Sequence, residues 1–353
     1  WADRSNRRNI VALALAVWSG MTALSGLVQN YVQLLAARVG VGVGEAGGSP
    51  PSHSMISDIF PPHRRASALG FYSMGVNIGI LFGFLFGGWL NEYFGWRVAF
   101  MVVGLPGVIL ALVVRYTLAE PIRGFSENRS GEVESSGFRD VLDVLWTSRA
   151  FRHIAMGAAL NAFVSYSISN WTASFMIRSH GMSTGELGTW LALIMCFGGA
   201  VGVFCGGLIA DRLAPRDKRW YVWLPALAGV IALPFIASVY LVDGPYTAFM
   251  CMVVPAVMSN VYLGNAIATT HGLVGLRMRA MSSAILFFIL NIIGLGAGPW
   301  TVGMVSDMMA DSHGAESLRY AMLCVLTPVA LWSITHFYLA SRTLRDDLEN
   351  APA

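Results

Sequence analysis

Long apolar stretches broken by short polar clusters run through the whole chain. A bilayer core takes about 20 apolar residues to cross as a helix. The pattern predicts ten such spans, at 10–28, 31–57, 66–90, 97–118, 151–177, 187–210, 220–241, 246–270, 280–305 and 317–341. Backbone satisfaction in lipid permits only helices or closed barrels, and the short alternating strands of a barrel are missing from the pattern. Ten crossings would bring both ends of the chain to one side. The predicted fold class is therefore an all-α polytopic membrane protein.

Composition supports this. Hydrophobic residues make up 55% and charged residues 12% of 353 positions, the latter well below the roughly one quarter usual in soluble domains. Charge placement adds an orientation. Of 23 Lys and Arg, 19 fall in the loops on the side of residue 1 and the C-terminus, against Arg97, Arg178 and Arg319 on the other. Both ends are thus expected in the cytoplasm of a cell with this protein in its inner or plasma membrane. The remaining basic residue, Arg38, lies inside a span. The net charge of +3 follows from this loop bias and implies no nucleic-acid partner. Cys196, Cys205, Cys251 and Cys324 lie in apolar spans without metal-ligand spacing, and read as small packing residues. Residues 1–28 resemble a signal peptide only superficially, since the apolar run is long and no small-residue cleavage site ends it.

The chain repeats itself. Ala2-Asp3-Arg4-Ser5-Asn6-Arg7-Arg8 is echoed by the cluster from Ala210-Asp211-Arg212 to Arg219, 208 residues on. Arg65-Ala66-Ser67-Ala68 is echoed by Arg279-Ala280-Met281-Ser282-Ser283-Ala284, and Arg97-Val98-Ala99-Phe100 by Arg319-Tyr320-Ala321-Met322. Three echoes in one order imply two homologous halves. The Asp-Arg loop follows two spans in the second half but opens the first, so twelve helices are expected in the intact protein, with the first two absent here. The expected division is an N-terminal bundle over 1–118 (helices 3–6), a linker over 119–150 and a C-terminal bundle over 151–345 (helices 7–12). Within the linker, Phe138, Val141, Leu142, Leu145 and Trp146 fall at helical spacing with Arg139, Asp140 and Asp143 opposite, which suits a helix lying on the cytoplasmic surface.

Asp3-Arg4 with Arg7-Arg8, the repeat at Asp211-Arg212, and Gly95-Trp96-Arg97 resemble the loop signatures of the major facilitator superfamily over the whole chain. Arg38-Val39-Gly40-Val41-Gly42-Val43-Gly44-Glu45-Ala46, Ser57-Asp58-Ile59-Phe60 and Glu120-Pro121-Ile122-Arg123-Gly124 resemble the Spinster branch. The resemblance implies two six-helix bundles around a central cavity lined by the first, fourth, seventh and tenth helices, residues 31–57 being the fourth. It also implies lysolipid or sphingolipid-type substrates, with a charged head and an apolar tail.

Only Arg38 and Glu45 are ionisable residues well inside a span, where a charge costs at least a few kcal/mol unless paired or hydrated. Seven residues apart, they project from one helix face about 10 Å apart along the axis, too far for a direct pair without bending, so a third partner is expected. Glu45 reads as a proton-coupling carboxylate: burial favours its neutral form and approach of Arg38 its charged one. A fixed latch between helices is the other reading, and with either one Arg38 could receive a phosphate or carboxylate and Glu45 an amine.

The glycines over 40–48, the series Gly75, Gly79, Gly83 and Gly87, the series Gly198, Gly202 and Gly206, and Gly294, Gly296 and Gly298 before Pro299 read as close helix contacts that can slide or bend. No βαβ unit surrounds the first run, so it is no nucleotide fingerprint. Asp3, Arg4, Arg7, Arg8, Asp211, Arg212 and Arg219 form an expected cytoplasmic gate: acids capping helix N-termini, arginines pairing with neighbouring acids, in one state only. Plain topogenic charge is the alternative. Asn161 and Ser165 on the expected seventh helix, with Tyr262, Asn265 and Thr269 on the tenth, are candidate cavity residues or interhelical glue. His271 and His336 near span ends read as headgroup-level histidines.

Hydrolytic motifs and a nucleotide-binding loop are absent from the sequence, so the expectation is no enzyme, no cofactor and no metal. A monomeric, proton-coupled secondary transporter is expected, in contact with the bilayer, its substrate and a proton. The alternatives are a proton-linked transporter of organic anions or drugs, and a transport-dead receptor or sensor.

Overall fold

A computed structural model describes residues 6–121, 137–275 and 278–351. Among them the secondary structure is helical throughout. In chain order the elements are α1 (Arg7–Ser25), α2 (Tyr31–Ala46), α3 (Ser49–Ile59), α4 (Pro62–Thr117), α5 (Phe138–Thr147), α6 (Arg149–His180), α7 (Thr184–Leu213), α8 (Trp220–Leu241), α9 (Pro245–Met258), α10 (Tyr262–Gly272) and α11 (Arg279–Ile289). A π-helical turn (Leu290–Ala297), α12 (Gly298–Met308), the short α13 (Ala310–His313), a 3₁₀ turn (Gly314–Glu316) and α14 (Ser317–Glu349) complete them.

The ten predicted spans are all helical, but local chemistry redraws their ends. Span 31–57 is two helices, because Gly47 and Gly48 end α2 and Pro50-Pro51, lacking N–H donors, start α3. Spans 66–90 and 97–118 run on as α4, whose direction changes at Gly95. There φ is +79° and ψ 161°, a conformation open to glycine and closed to its L-amino-acid neighbours. Span 246–270 breaks between α9 and α10, three residues beyond Pro255. Span 280–305 contains the π turn ahead of Pro299. Among the described residues seven helical runs are apolar and long enough to cross a membrane. One of them, Met74–Thr117, holds two spans, and α2–α3 and α6, interrupted or more polar, complete the ten.

The described residues of 1–132 with 183–192 form one compact unit, and those of 133–182 with 193–353 form another. In the first, α1 packs on α2 and α4 through glycines. A Cβ on Gly44 would lie 2.7 Å from the Trp18 backbone nitrogen, and one on Gly104 would strike the backbone of Ser19 and Ala23. Such approach is how membrane helices gain packing energy, since lipid removes the hydrophobic drive between them.

In the second unit α6 and α14 run together. Phe337 covers Gly157, and the Ser333 hydroxyl donates to the Gly157 carbonyl at 2.7 Å. Helix α5 docks by Val141 and Leu145, both fully buried, leaving Phe138 and Trp146 exposed. Asp347 of α14 accepts from the Ala150 N–H and the Ser148 hydroxyl, both at 2.7 Å, placing an anion at the positive end of α6. The expected glycine contacts form at Gly198, Gly202 and Gly206, which meet Ala256, Val257 and Val261, and at Gly294 and Gly298, which meet Ala162 and Phe163. Gly75, Gly79, Gly83 and Gly87 differ: a Cβ there would meet nothing within 4 Å among the described residues. Gly296 meets only the Asn291 carbonyl of its own π turn.

Candidate functional site

Helix α2 has two faces. Its packed face carries Gly40 against Met21 and Gly44 against Trp18, with Ala37 and Val41 buried, and just beyond its end Gly47 meets Ala14 and Gly48 meets Trp18. Its open face carries Arg38, Gly42 and Glu45, all exposed, and a Cβ on Gly42 would meet nothing within 4 Å. Neither Arg38 nor Glu45 forms an ion pair among the described residues. Their separation of two helical turns agrees with this, about 10 Å along the axis.

At the end of the first unit where α1 begins, Arg7 is buried and its guanidinium is the centre of a polar cluster. It donates to Glu120 Oε1 (2.9 Å), Ser54 Oγ (2.8 Å), the Pro121 carbonyl (2.9 Å) and the Asp58 carboxylate. Glu120 also accepts from the Arg8 backbone N–H at 2.8 Å, at the N-terminus of α1. Burial pushes the Glu120 carboxyl up, but the Arg8 N–H and the Arg7 guanidinium outweigh it and hold the carboxyl below its usual range. One planar cation thus ties α1, α3 and the segment after α4 together. The predicted gate residues Arg7 and Arg8 are therefore in a network. Asp3 and Arg4 lie outside the described residues.

The repeated loop in the second unit solves the same problem with reversed charge. Asp217 accepts from Arg219 (2.9 Å) and from Arg345 near the end of α14 (2.7 Å). Those bonds, Arg219 first, hold Asp217 well below the usual carboxylate range despite some burial. Arg219 also lies over the Trp223 ring at 4.4 Å. Asp211, expected to cap a helix N-terminus, and Arg212, expected among the arginines that pair with neighbouring acids, are exposed and make no ion pair among the described residues. Both lie on the last turns of α7, at the negative end of that helix.

At the other end of the first unit, α4 and the start of α7 are clasped. The Gly88 and Gly188 backbones touch, Glu92 accepts from the Gly185 N–H at 2.6 Å, and the Trp89 indole donates to Thr189 at 3.1 Å. Glu92 caps α7 at its positive end. Sequence reasoning missed Asp58, Glu120, Glu92 and Asp217 as partners. The first two had been quoted only within a family signature.

The candidate cavity residues divide. Asn161 borders a small enclosed cavity of about 20 Å³ with Pro225, Met258, Ser259 and Ser333, enough for one water. The Ser165 hydroxyl donates to the Asn161 side-chain oxygen Oδ1 at 3.4 Å. Tyr262, Asn265 and Thr269 are buried, and the last two bond within their own helix, Asn265 to the Val261 carbonyl (2.9 Å) and Thr269 to the Asn265 carbonyl (2.7 Å). Their geometry is that of packing residues. His271 contacts Ser283 at 2.6 Å, and His336 pairs with His153 of α6, Nδ1 to Nδ1 at 3.0 Å. No group of three or more metal-binding side chains occurs among the described residues.

Residues 1–338 match the family model described as the Major Facilitator Superfamily. An "MFS-type efflux pump" of Mycolicibacterium smegmatis is 32% identical over 98% of this chain and 80% of its own. The "Sphingosine-1-phosphate transporter SPNS2" of Danio rerio is 22% identical over 96% of this chain and 71% of its own. Among solved structures, one described as a bacterial homolog of the human lysosomal transporter Spinster, in an inward-facing and unoccupied conformation, superposes with a TM-score of 0.88. It is 32% identical, over 98% of this chain and 85% of that one.

Proposed function

Because the chain belongs to the Major Facilitator Superfamily, and within it to the Spinster branch, we propose that it carries a lysolipid- or sphingolipid-like amphipath across the membrane by alternating access coupled to protons. The observation that carries this is the open face of α2, where Arg38 and Glu45 stand without ion-pair partners among the described residues. A cation and a carboxylate about 10 Å apart suit a headgroup bearing both phosphate and amine. Glu45 is the proton carrier: neutral, it can be buried at little cost; charged, it needs Arg38, substrate or water.

The Arg7 cluster and the Asp217–Arg345 pair lie on the cytoplasmic side, with both chain ends. The Gly88–Gly188 clasp lies on the external side. The Arg7 cluster and the clasp act as gates, each intact in one conformation and loosened in the other, so that they set the population of states. Asn161 and Ser165 sit beside the path on the seventh helix. Tyr262, Asn265 and Thr269 of the tenth reach it only when that helix moves. The division into bundles at 1–118 and 151–345, joined by the linker with its surface helix α5, belongs to the same proposal, as does function as a monomer.

A second reading is a proton-linked transporter of organic anions or drugs, and the relative whose name says efflux pump supports export as its direction. A counterflow assay with the intact protein in proteoliposomes separates the two. Exchange of radiolabelled lysosphingolipid but not of aromatic carboxylates is expected. Exchange of carboxylates alone would reverse the assignment, and binding without exchange would indicate a receptor.

A further inference from the structure

The loop between α7 and α8 and the last turns of α14 enclose an open cleft of about 390 Å³ in the second unit, lined by Arg216, Asp217, Lys218, Arg345, Leu348 and Glu349. We propose that this cleft binds the phosphate-bearing headgroup of an anionic membrane phospholipid.

Three features lead there. Asp217 is already satisfied by Arg219 and Arg345, so the loop's one acid is internally neutralised. Arg216 and Lys218 are left exposed, with no ion pair among the described residues, at the wall of the same cleft. Glu349 opposes them in part, but three basic residues to two acids leave the lining net positive, with Arg219 adjoining it.

The second feature is depth. Trp220 and Trp223 open α8 immediately after this loop, their rings 5.6 Å apart and edge to face. Aromatic residues at a helix start mark the headgroup level of a bilayer. A basic cleft at that level is within reach of lipid phosphates, and clefts of this kind between membrane helices suit anionic headgroups.

The third feature is what the ligand would do. A phosphate held by Arg216, Lys218 and the free donors of Arg345 would fasten the end of α14 to the loop before α8. That end of α14 also carries Asp347, the cap of α6. Lipid occupancy would therefore stabilise three helices of the second unit at one place. This does not depend on what the protein transports.

The test uses the full chain in phosphatidylcholine nanodiscs titrated with phosphatidylglycerol, read by thermal unfolding and by lipid retained in native mass spectrometry. Phosphatidylglycerol should be retained in preference to phosphatidylcholine and should raise the unfolding temperature. Joint substitution Arg216→Ala with Lys218→Ala should weaken its apparent affinity about 30-fold, roughly fivefold for each cation. The charge-conserving pair Arg216→Lys with Lys218→Arg should keep it. Equal retention of both lipids, or an unchanged affinity in the double alanine variant, would overturn the proposal. Excess inorganic phosphate that stabilises the protein as well as phosphatidylglycerol does would replace the lipid with a soluble anion.

Discussion

Gly88 of α4 and Gly188 of α7 cross so closely that a Cβ added to either would lie 3.0 Å from the other's Cα. Only hydrogen fits at both positions, and the surrounding bonds, from Thr184 to Gly88, from Gly185 to Glu92 and from Trp89 to Thr189, hold the crossing in register.

Gly88→Leu should therefore prevent the clasp from closing. Overpacking of a tight contact costs roughly 1–3 kcal/mol, enough to empty the closed state if the two conformations differ by a similar amount. Double electron–electron resonance between spin labels at the Gly95 bend of α4 and at the start of α7 should show a longer distance, and transport should fall. An unchanged distance distribution would contradict the gating role.

Arg7→Ala should destabilise the first unit by about 3 kcal/mol, because it takes the guanidinium away from two largely buried carboxylates, Asp58 and Glu120. Arg7→Lys should rescue only part of the loss, since an ammonium cannot serve four acceptors in the planar pattern of a guanidinium. Thermal unfolding in detergent measures both. Equal stability of wild type and Arg7→Ala would mean that the cluster forms only transiently.

The acid limb of stability has a definite sign. Glu120 and Asp217 both sit below their ordinary values in the folded state. Their contributions are thus fully present above the unfolded carboxylate range, roughly pH 4, and disappear as pH falls through the lower folded values. Asp217→Asn should flatten part of this acid limb and leave the neutral region level. A loss of stability that instead set in between pH 6 and 7 would point to other groups, histidines first.

Much of the architecture was legible from hydropathy alone, because a span must be apolar along its whole length and a loop need not be. The boundaries were less so. Gly47-Gly48 and the Ser259–Val261 break are decided by which backbone donors remain satisfied, not by hydrophobicity. The open pair Arg38 and Glu45 stood out because charges are rare at membrane depth. The Arg7 cluster did not, since Asp58 and Glu120 lie 51 and 113 residues away in sequence and look like ordinary loop acids. In the second half the echo of the Asp-Arg loop pointed to Asp211, Arg212 and Arg219, and of these Arg219 bonds Asp217, which Arg345 also reaches. The repeat preserves the tie between that loop and the sixth helix of its half, but exchanges which side brings the positive charge. Tyr262, Asn265 and Thr269 show the ambiguity of polar residues in membrane helices, where bonding to the preceding turn and lining a path look alike in sequence.

The central claim is proton-coupled transport of an amphipath through the Arg38–Glu45 face of α2. The most direct measurement is uptake of a radiolabelled lysosphingolipid into proteoliposomes under an imposed pH gradient, comparing wild type with Glu45→Gln. The wild type should accumulate substrate against its gradient, while Glu45→Gln should lose gradient-driven accumulation and keep downhill exchange. Accumulation by Glu45→Gln equal to that of the wild type would contradict the account.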